Sequence, residues 1–147
     1  RDVYNRQALY LVDLPGYGFA QVSQQTRLSW QELITQYVET RPSLAGVVVI
    51  IDLRHELKSL DRDLIDWLRY LKKPFLPIYT KADKLSRNEQ HKHAASLDAG
   101  LTLNPGDRIV FSSKTGQGVE QLRSKIREMA TFVQEGPGQP PPLTDPI

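Results

Sequence analysis

"GVVVIIDL", residues 46–53, is apolar at every position from Val47 to Ile51 before it closes on Asp52 and Leu53. A strand wet on one face alternates apolar with polar residues, so a continuous run predicts a strand covered on both faces, as in a parallel sheet. Shorter runs of the same kind stand at 8–12 ("ALYLV"), 75–79 ("FLPIY") and 108–111 ("RIVF"). Between and after them, apolar residues recur at helical spacing. Trp30, Leu33, Ile34, Tyr37 and Val38 form one stripe, and Leu60, Leu64, Trp67, Leu68 and Leu71 a second. Val119, Leu122, Ile126, Met129, Ala130 and Val133 form a third. The span 86–99 is less periodic, but Ser86 followed by Glu89 predicts a capping box and therefore a helix start. Strand then helix, four times over, predicts an α/β fold with a mainly parallel sheet between helical layers.

Composition sets the bounds. The chain has 147 residues, 39% hydrophobic and 24% charged, which suits one globular domain with a real core. Nineteen Lys and Arg against seventeen Asp and Glu leave a net charge of +2, too small to argue for a nucleic-acid or membrane partner. The absence of cysteine excludes disulfides, thiolate metal sites and a cysteine nucleophile, and fits a reducing compartment. No apolar run is long enough to span a bilayer, so a cytoplasmic location without membrane attachment is expected. Trp30 and Trp67 lie on apolar stripes and are expected in the core. Residues 134–147, "QEGPGQPPPLTDPI", are rich in Pro and Gly without periodicity and read as a disordered tail after a domain spanning 1–133.

In open α/β sheets ligands bind beyond the carboxyl ends of the strands, and three of the four ends carry polar motifs. Asp13-Leu14-Pro15-Gly16 leaves the first: the carboxylate can reach a magnesium ion through water, and Gly16 lets its backbone N–H approach a phosphate. Thr80-Lys81-Ala82-Asp83 leaves the third. A fixed Asp83 carboxylate accepts hydrogen bonds from N1–H and the 2-amino group of guanine, a donor pair that adenine lacks. Lys81 can lay its aliphatic stem along the purine, and the Thr80 hydroxyl can tie the loop to its neighbours. Ser112-Ser113-Lys114 leaves the fourth. There Ser112 can support the Asp83 loop, the Ser113 N–H can donate to guanine O6, and Lys114 can cover the other face of the ring. Each motif alone also reads as a turn or a helix cap; in the Asp83 case, as the cap of the next helix. Their order at successive strand exits is what points to a guanine nucleotide site.

These motifs resemble the third, fourth and fifth motifs of the translation-factor-related P-loop GTPases. "DLPGYGFA", residues 41–68 with Asp52-Leu53-Arg54-His55, "YTKADKLSRNEQ" and "FSSKTGQGVEQLR" resemble, more narrowly, the bacterial EngB (YihA/YsxC) family. The resemblance covers about residues 1 to 133. It implies a P-loop NTPase-type three-layer α/β/α domain that binds GTP or GDP with magnesium and hydrolyses GTP. It also implies a role in assembly of the large ribosomal subunit and in cell division, with ribosomal RNA as partner, and a monomer is expected.

Two departures qualify it. The family's G-x-x-x-x-G-K-[S/T] phosphate loop and its strand would precede Arg1, and no Gly-Lys-Ser/Thr occurs in the chain. By that resemblance the chain is expected to be a piece that alone neither binds GTP tightly nor hydrolyses it, with Asp13 as the outer-sphere magnesium partner. Tyr17 stands where many GTPases carry the glutamine that orients water, so no catalytic base is assigned, and a missing segment, a monovalent cation such as potassium, or the partner is expected to position the water. A nucleotide-independent RNA or protein interaction module on the same scaffold is the alternative. An RNA-facing surface, with Arg54, His55 and Lys58 as candidate contacts of the ribosomal partner, is expected at these residues and Lys84, Arg87, His91, Lys92 and His93, unless pairing to Asp61, Asp63 and Glu89 occupies them.

Overall fold

The computed structural model describes residues 9–14 and 23–132, the side chains of Arg27, Trp30 and Phe132 excepted. Helix α1 (Gln24–Thr40) is followed by β1 (Val47–Asp52), α2 (Ser59–Tyr70), β2 (Phe75–Thr80), α3 (Arg87–Leu101), β3 (Ile109–Val110) and α4 (Val119–Phe132). The strands form one parallel sheet in the order β1-β2-β3, with Asp52 opposite Thr80 and Tyr79 opposite Val110. Two successive crossovers in the same direction and of the same right hand put α2 and α3 on one face.

Local chemistry marks the helix boundaries. Ser23 caps α1 by accepting from the Thr26 N–H at 3.2 Å. Ser86 and Glu89 close the predicted capping box at α3, with the Ser86 N–H donating to Glu89 Oε2 at 2.8 Å. Both α2 and α3 end in a left-handed residue, Lys72 (φ 54°) and Thr102 (φ 52°). In each the following N–H reaches back five residues, Lys73 to Leu68 and Leu103 to Asp98, the Schellman closure for which glycine is the usual residue.

The core is unequal on the two faces. Val49, Ile51, Leu53 and Tyr79 meet Val38 of α1, Ile65 and Leu68 of α2, and Ala94, Leu97 and Leu101 of α3. On the other face Leu76, Ile78 and Ile109 meet Leu122 and Met129 of α4. Gly118, at the turn into α4, packs so close to β3 that a Cβ there would stand 2.5 Å from the Val110 oxygen, at a φ of 81°.

Several expectations are corrected. Residues 9–12 are not in a strand, and Tyr10 and Leu11 are 82% and 77% exposed. A strand is a paired object, and among the described residues β1 pairs only with β2, leaving 9–12 no partner for its backbone groups. The second face of β1 is covered only in part: Val48 packs against the α4-side cluster, but Ile50 on the same face is 66% exposed. Leu33 and Leu60 are exposed rather than on the packed stripe, and Ile65, outside the expected stripe, is fully buried. Trp67 is half-buried against the larger cluster. The expectations for Pro15, Gly16, residues 17–20, the Trp30 side chain, Val133 and the 134–147 tail lie outside the described residues. Among those described, no helix is long and apolar enough to cross a membrane.

Candidate guanine-base site

Parallel pairing carries the exits of β1, β2 and β3 to one edge of the sheet, and two of the predicted motifs meet there. The loop after β2 begins with Thr80, whose hydroxyl donates to the Ile51 carbonyl at 3.2 Å, while the Leu53 N–H donates to the Thr80 carbonyl at 3.0 Å. Lys81 then adopts left-handed backbone, φ 65° and ψ 26°, a conformation that costs a lysine about 1–2 kcal/mol. The reversal starts the short 3-10 turn Ala82–Lys84, which puts Asp83 back toward β3. The Ala82 N–H donates to the Phe111 carbonyl at 3.1 Å, and Ser112 Oγ donates to Asp83 Oδ1 at 2.7 Å.

Ser86, not Asp83, caps α3, so the capping reading of Asp83 is removed. Its side chain is 11% exposed, and the Ser112 hydroxyl, then Lys84 and Lys114, hold its pKa below the ordinary carboxylate value despite partial burial. Asp83 therefore stays an acceptor across the physiological range. Ser112 is fully buried and also accepts from the Lys114 and Thr115 N–H groups at 3.2 and 3.3 Å. Lys81, Ser113 and Lys114 are exposed beside this pair.

Asp13 is not brought to the same place. It is exposed and, with Leu14, lines a groove of about 550 Å³ together with Tyr37, Thr40, Arg41 and Pro42. Those α1 residues lead into the entrance of β1, and in a parallel sheet entrances and exits lie at opposite ends.

Arg54 finds a partner that the sequence reading did not name. Its Nε and Nη2 donate to the two oxygens of Asp52 at 2.9 and 2.7 Å, and its N–H donates to Oδ1 at 3.0 Å. This fork takes the Asp52 pKa down to about 2. The sign follows from a depressed carboxylate: the pair's contribution is full above the ordinary value of 3.8 and disappears as pH falls through about 2. Carboxyl chemical shifts should show Asp52 titrating near that value, and Arg54→Ala should return the midpoint to the ordinary range. An unmoved midpoint would contradict the pairing.

Comparison with known proteins bears on what this edge belongs to. No protein-family model matches the chain. A "Probable GTP-binding protein EngB" of Desulfotalea psychrophila is 62% identical over 112 residues, 76% of this chain and 58% of its own length. Over most of its length the chain is similar to EngB proteins. Proteins of the same name from Syntrophomonas wolfei and Laribacter hongkongensis are each 42% identical, over 82% and 80% of this chain and 62% and 53% of their own length. The chain thus spans less than two thirds of these EngB relatives. The solved structure of a probable GTP-binding protein engB superposes with a TM-score of 0.68 at 20% identity, covering 82% of this chain and 77% of that one. Translation elongation factor SelB from Methanococcus maripaludis in its apo form gives 0.60 at 21% identity, covering 85% of this chain and 25% of that one. Both place the three-layer arrangement in the P-loop NTPase fold.

Proposed function

We propose that this chain supplies the guanine-reading half of a GTP-binding switch. The observation that carries the reading is the Ser112–Asp83 hydrogen bond of 2.7 Å, which joins two strand-exit loops and leaves a carboxylate fixed as an acceptor. A fixed acceptor matched to two donors rejects a base that lacks them by about 10⁴ or more. The EngB relatives, named as GTP-binding proteins, support the same ligand. Competition titration of GTP against ATP on the full-length protein tests it; equal displacement by the two nucleotides would end the reading.

In this reading the full-length protein hydrolyses GTP, and its nucleotide state governs association with the large ribosomal subunit during assembly, with an effect on cell division. Slow hydrolysis is expected from the protein alone, accelerated by potassium or by ribosomal particles, since Tyr17 replaces the water-orienting glutamine. Magnesium and potassium enter through family resemblance. Among the described residues no three His, Asp or Glu side chains cluster as a metal site, and Asp13 lines a groove beside Tyr37 and Thr40.

For the ribosomal partner, the surface candidates change. Arg54 is committed to Asp52, His93 Nδ1 lies 2.9 Å from the Leu53 carbonyl, and His55 and Lys84 each lie 3.9 Å from a carboxylate, of Asp52 and Asp83, while Lys58, Arg87, His91 and Lys92 are exposed. Co-sedimentation of the GTP state with large subunits should fall steeply as salt rises. If the GTP state does not pellet at low salt, the partner is wrong. The interaction-module alternative has no comparable support, because a module indifferent to nucleotide has no use for a buried Ser112 holding Asp83.

A further inference from the structure

Gln90 lies in the first turn of α3 and is half-buried, and the function proposed above does not use it. Its Nε2 donates to the Ala82 carbonyl at 2.8 Å and to the Leu85 carbonyl at 3.2 Å. These two carbonyls flank the turn that carries Asp83. Its Oε1 accepts from Gln117 Nε2 at 3.0 Å. Gln117 belongs to the loop after β3, where its own carbonyl accepts from the Ser112 N–H at 3.0 Å.

The bonds close a ring. Asp83 is joined to Ser112, Ser112 through its backbone to Gln117, Gln117 to Gln90, and Gln90 to the carbonyls on either side of Asp83. The turn needs such an outside hold. Lys81 enters it in left-handed backbone, and Lys84 and Leu85 close it with N–H bonds to the Lys81 and Ala82 carbonyls at 3.0 and 3.1 Å. The Ala82 carbonyl therefore carries two donors, one of them from Gln90, and a side chain that fills both roles couples the turn to the neighbouring loop.

We propose that Gln90 and Gln117 form a positioning pair that fixes the spacing between the base-reading carboxylate of Asp83 and the Ser112–Lys114 loop, and so determines how strictly the site demands the 2-amino group of guanine. The inference rests on the guanine reading of the site. A hydrogen bond to the 2-amino group depends steeply on distance and angle, so a carboxylate whose loop drifts loses that bond before it loses the base stack. Neither glutamine needs to touch the nucleotide. Their effect passes through the two loops they tie together.

The test uses the full-length protein and three diphosphates: GDP, IDP, which keeps N1–H but lacks the 2-amino group, and ADP. Gln90→Leu removes all three side-chain bonds, and Gln117→Ala removes only the link between loops. Expected is a fall in the GDP:IDP affinity ratio of about three- to tenfold for Gln90→Leu, the net worth of one neutral hydrogen bond, with IDP affinity nearly unchanged. Gln117→Ala, an exposed position, should show a smaller fall in the same ratio and carries the test if Gln90→Leu folds poorly. Gln90→Glu should restore none of the ratio, since a carboxylate cannot donate to the Ala82 and Leu85 carbonyls. A merely structural role would weaken GDP and IDP alike. A wild-type preference for GDP over ADP with a GDP:IDP ratio unmoved in both variants would overturn this inference alone. Equal wild-type binding of GDP and ADP would overturn the guanine reading and the inference with it.

Discussion

Replacing Asp98 with Ala should lower folding stability by about 3–5 kcal/mol, the cost of stranding a buried ionic partner. Asp98 is 6% exposed on α3 and accepts from the Tyr79 hydroxyl at 2.8 Å and from Arg108 Nε and Nη2 at 3.1 and 2.9 Å. The Arg108 guanidinium also lies 5.5 Å from the Tyr79 ring centre, so three side chains from α3, β2 and the approach to β3 meet at one point. Without the carboxylate, a guanidinium only 16% exposed keeps its charge and a phenol with no exposure keeps its O–H, both without their acceptor. Burial, then the bond to Asp98, also pushes the Tyr79 pKa far up, so its hydroxyl remains a donor at any pH at which the fold is studied.

Urea unfolding of Asp98→Ala beside wild type measures the loss. Asp98→Asn should lose less, because its oxygen still accepts from one donor. The double substitution Asp98→Leu with Arg108→Met should recover much of the stability, since an apolar pair of similar bulk leaves nothing unsatisfied. A loss below about 1 kcal/mol for Asp98→Ala would show that water reaches Arg108 and Tyr79 readily. The consequence extends to the site. Tyr79 immediately precedes Thr80 and Arg108 immediately precedes β3, so the triad braces both strands whose exits carry the base loops.

Asp83→Asn in the full-length protein should exchange guanine for xanthine. The wild-type carboxylate accepts from N1–H and the 2-amino group, whereas the Asn oxygen accepts from N1–H and its amide donates to the 2-oxo group of xanthine. Ser112 adapts, because a hydroxyl can donate to the Asn oxygen or accept from its nitrogen. GTP affinity should fall by about a hundredfold or more and XTP affinity should rise, on the scale by which polar pockets separate analogues. Titration of GTP, XTP and ATP against both proteins decides. If the substitution weakens all three equally, Asp83 supports the loop and does not read the base.

The two predictions draw on different levels of the molecule. The β1 run, the Ser86–Glu89 cap and the strand-then-motif order of "FLPIYTKAD" and "RIVFSSK" were readable because each is set by residues within one turn or one strand. A continuous apolar run bounded by turn residues and a cap three residues long are local rules, and β1, β2 and α3 obey them. Even the Ser112 support of Asp83 followed from motif order at adjacent strand exits.

Tertiary structure decided what depends on a partner far along the chain. Segment 9–12 has strand composition, but pairing is supplied by a neighbour, and among the described residues no strand pairs with it. Gln90 in "SRNEQ" looks like any polar residue of a helix's first turn, and only the fold brings Gln117 to it. Asp98 likewise reads as surface on a weakly periodic helix until Tyr79 and Arg108, 19 and 10 residues away, converge on it. The Asp52–Arg54 fork was nearer to being legible, since an Asp at a strand end accepts from the N–H two residues on, as it does from Arg54, yet that turn leaves the guanidinium free to point outward. Sequence fixes each residue's chemistry and its local geometry. Which donor meets which acceptor is settled when the sheet closes the long loops, because only then does burial make an unpaired group costly.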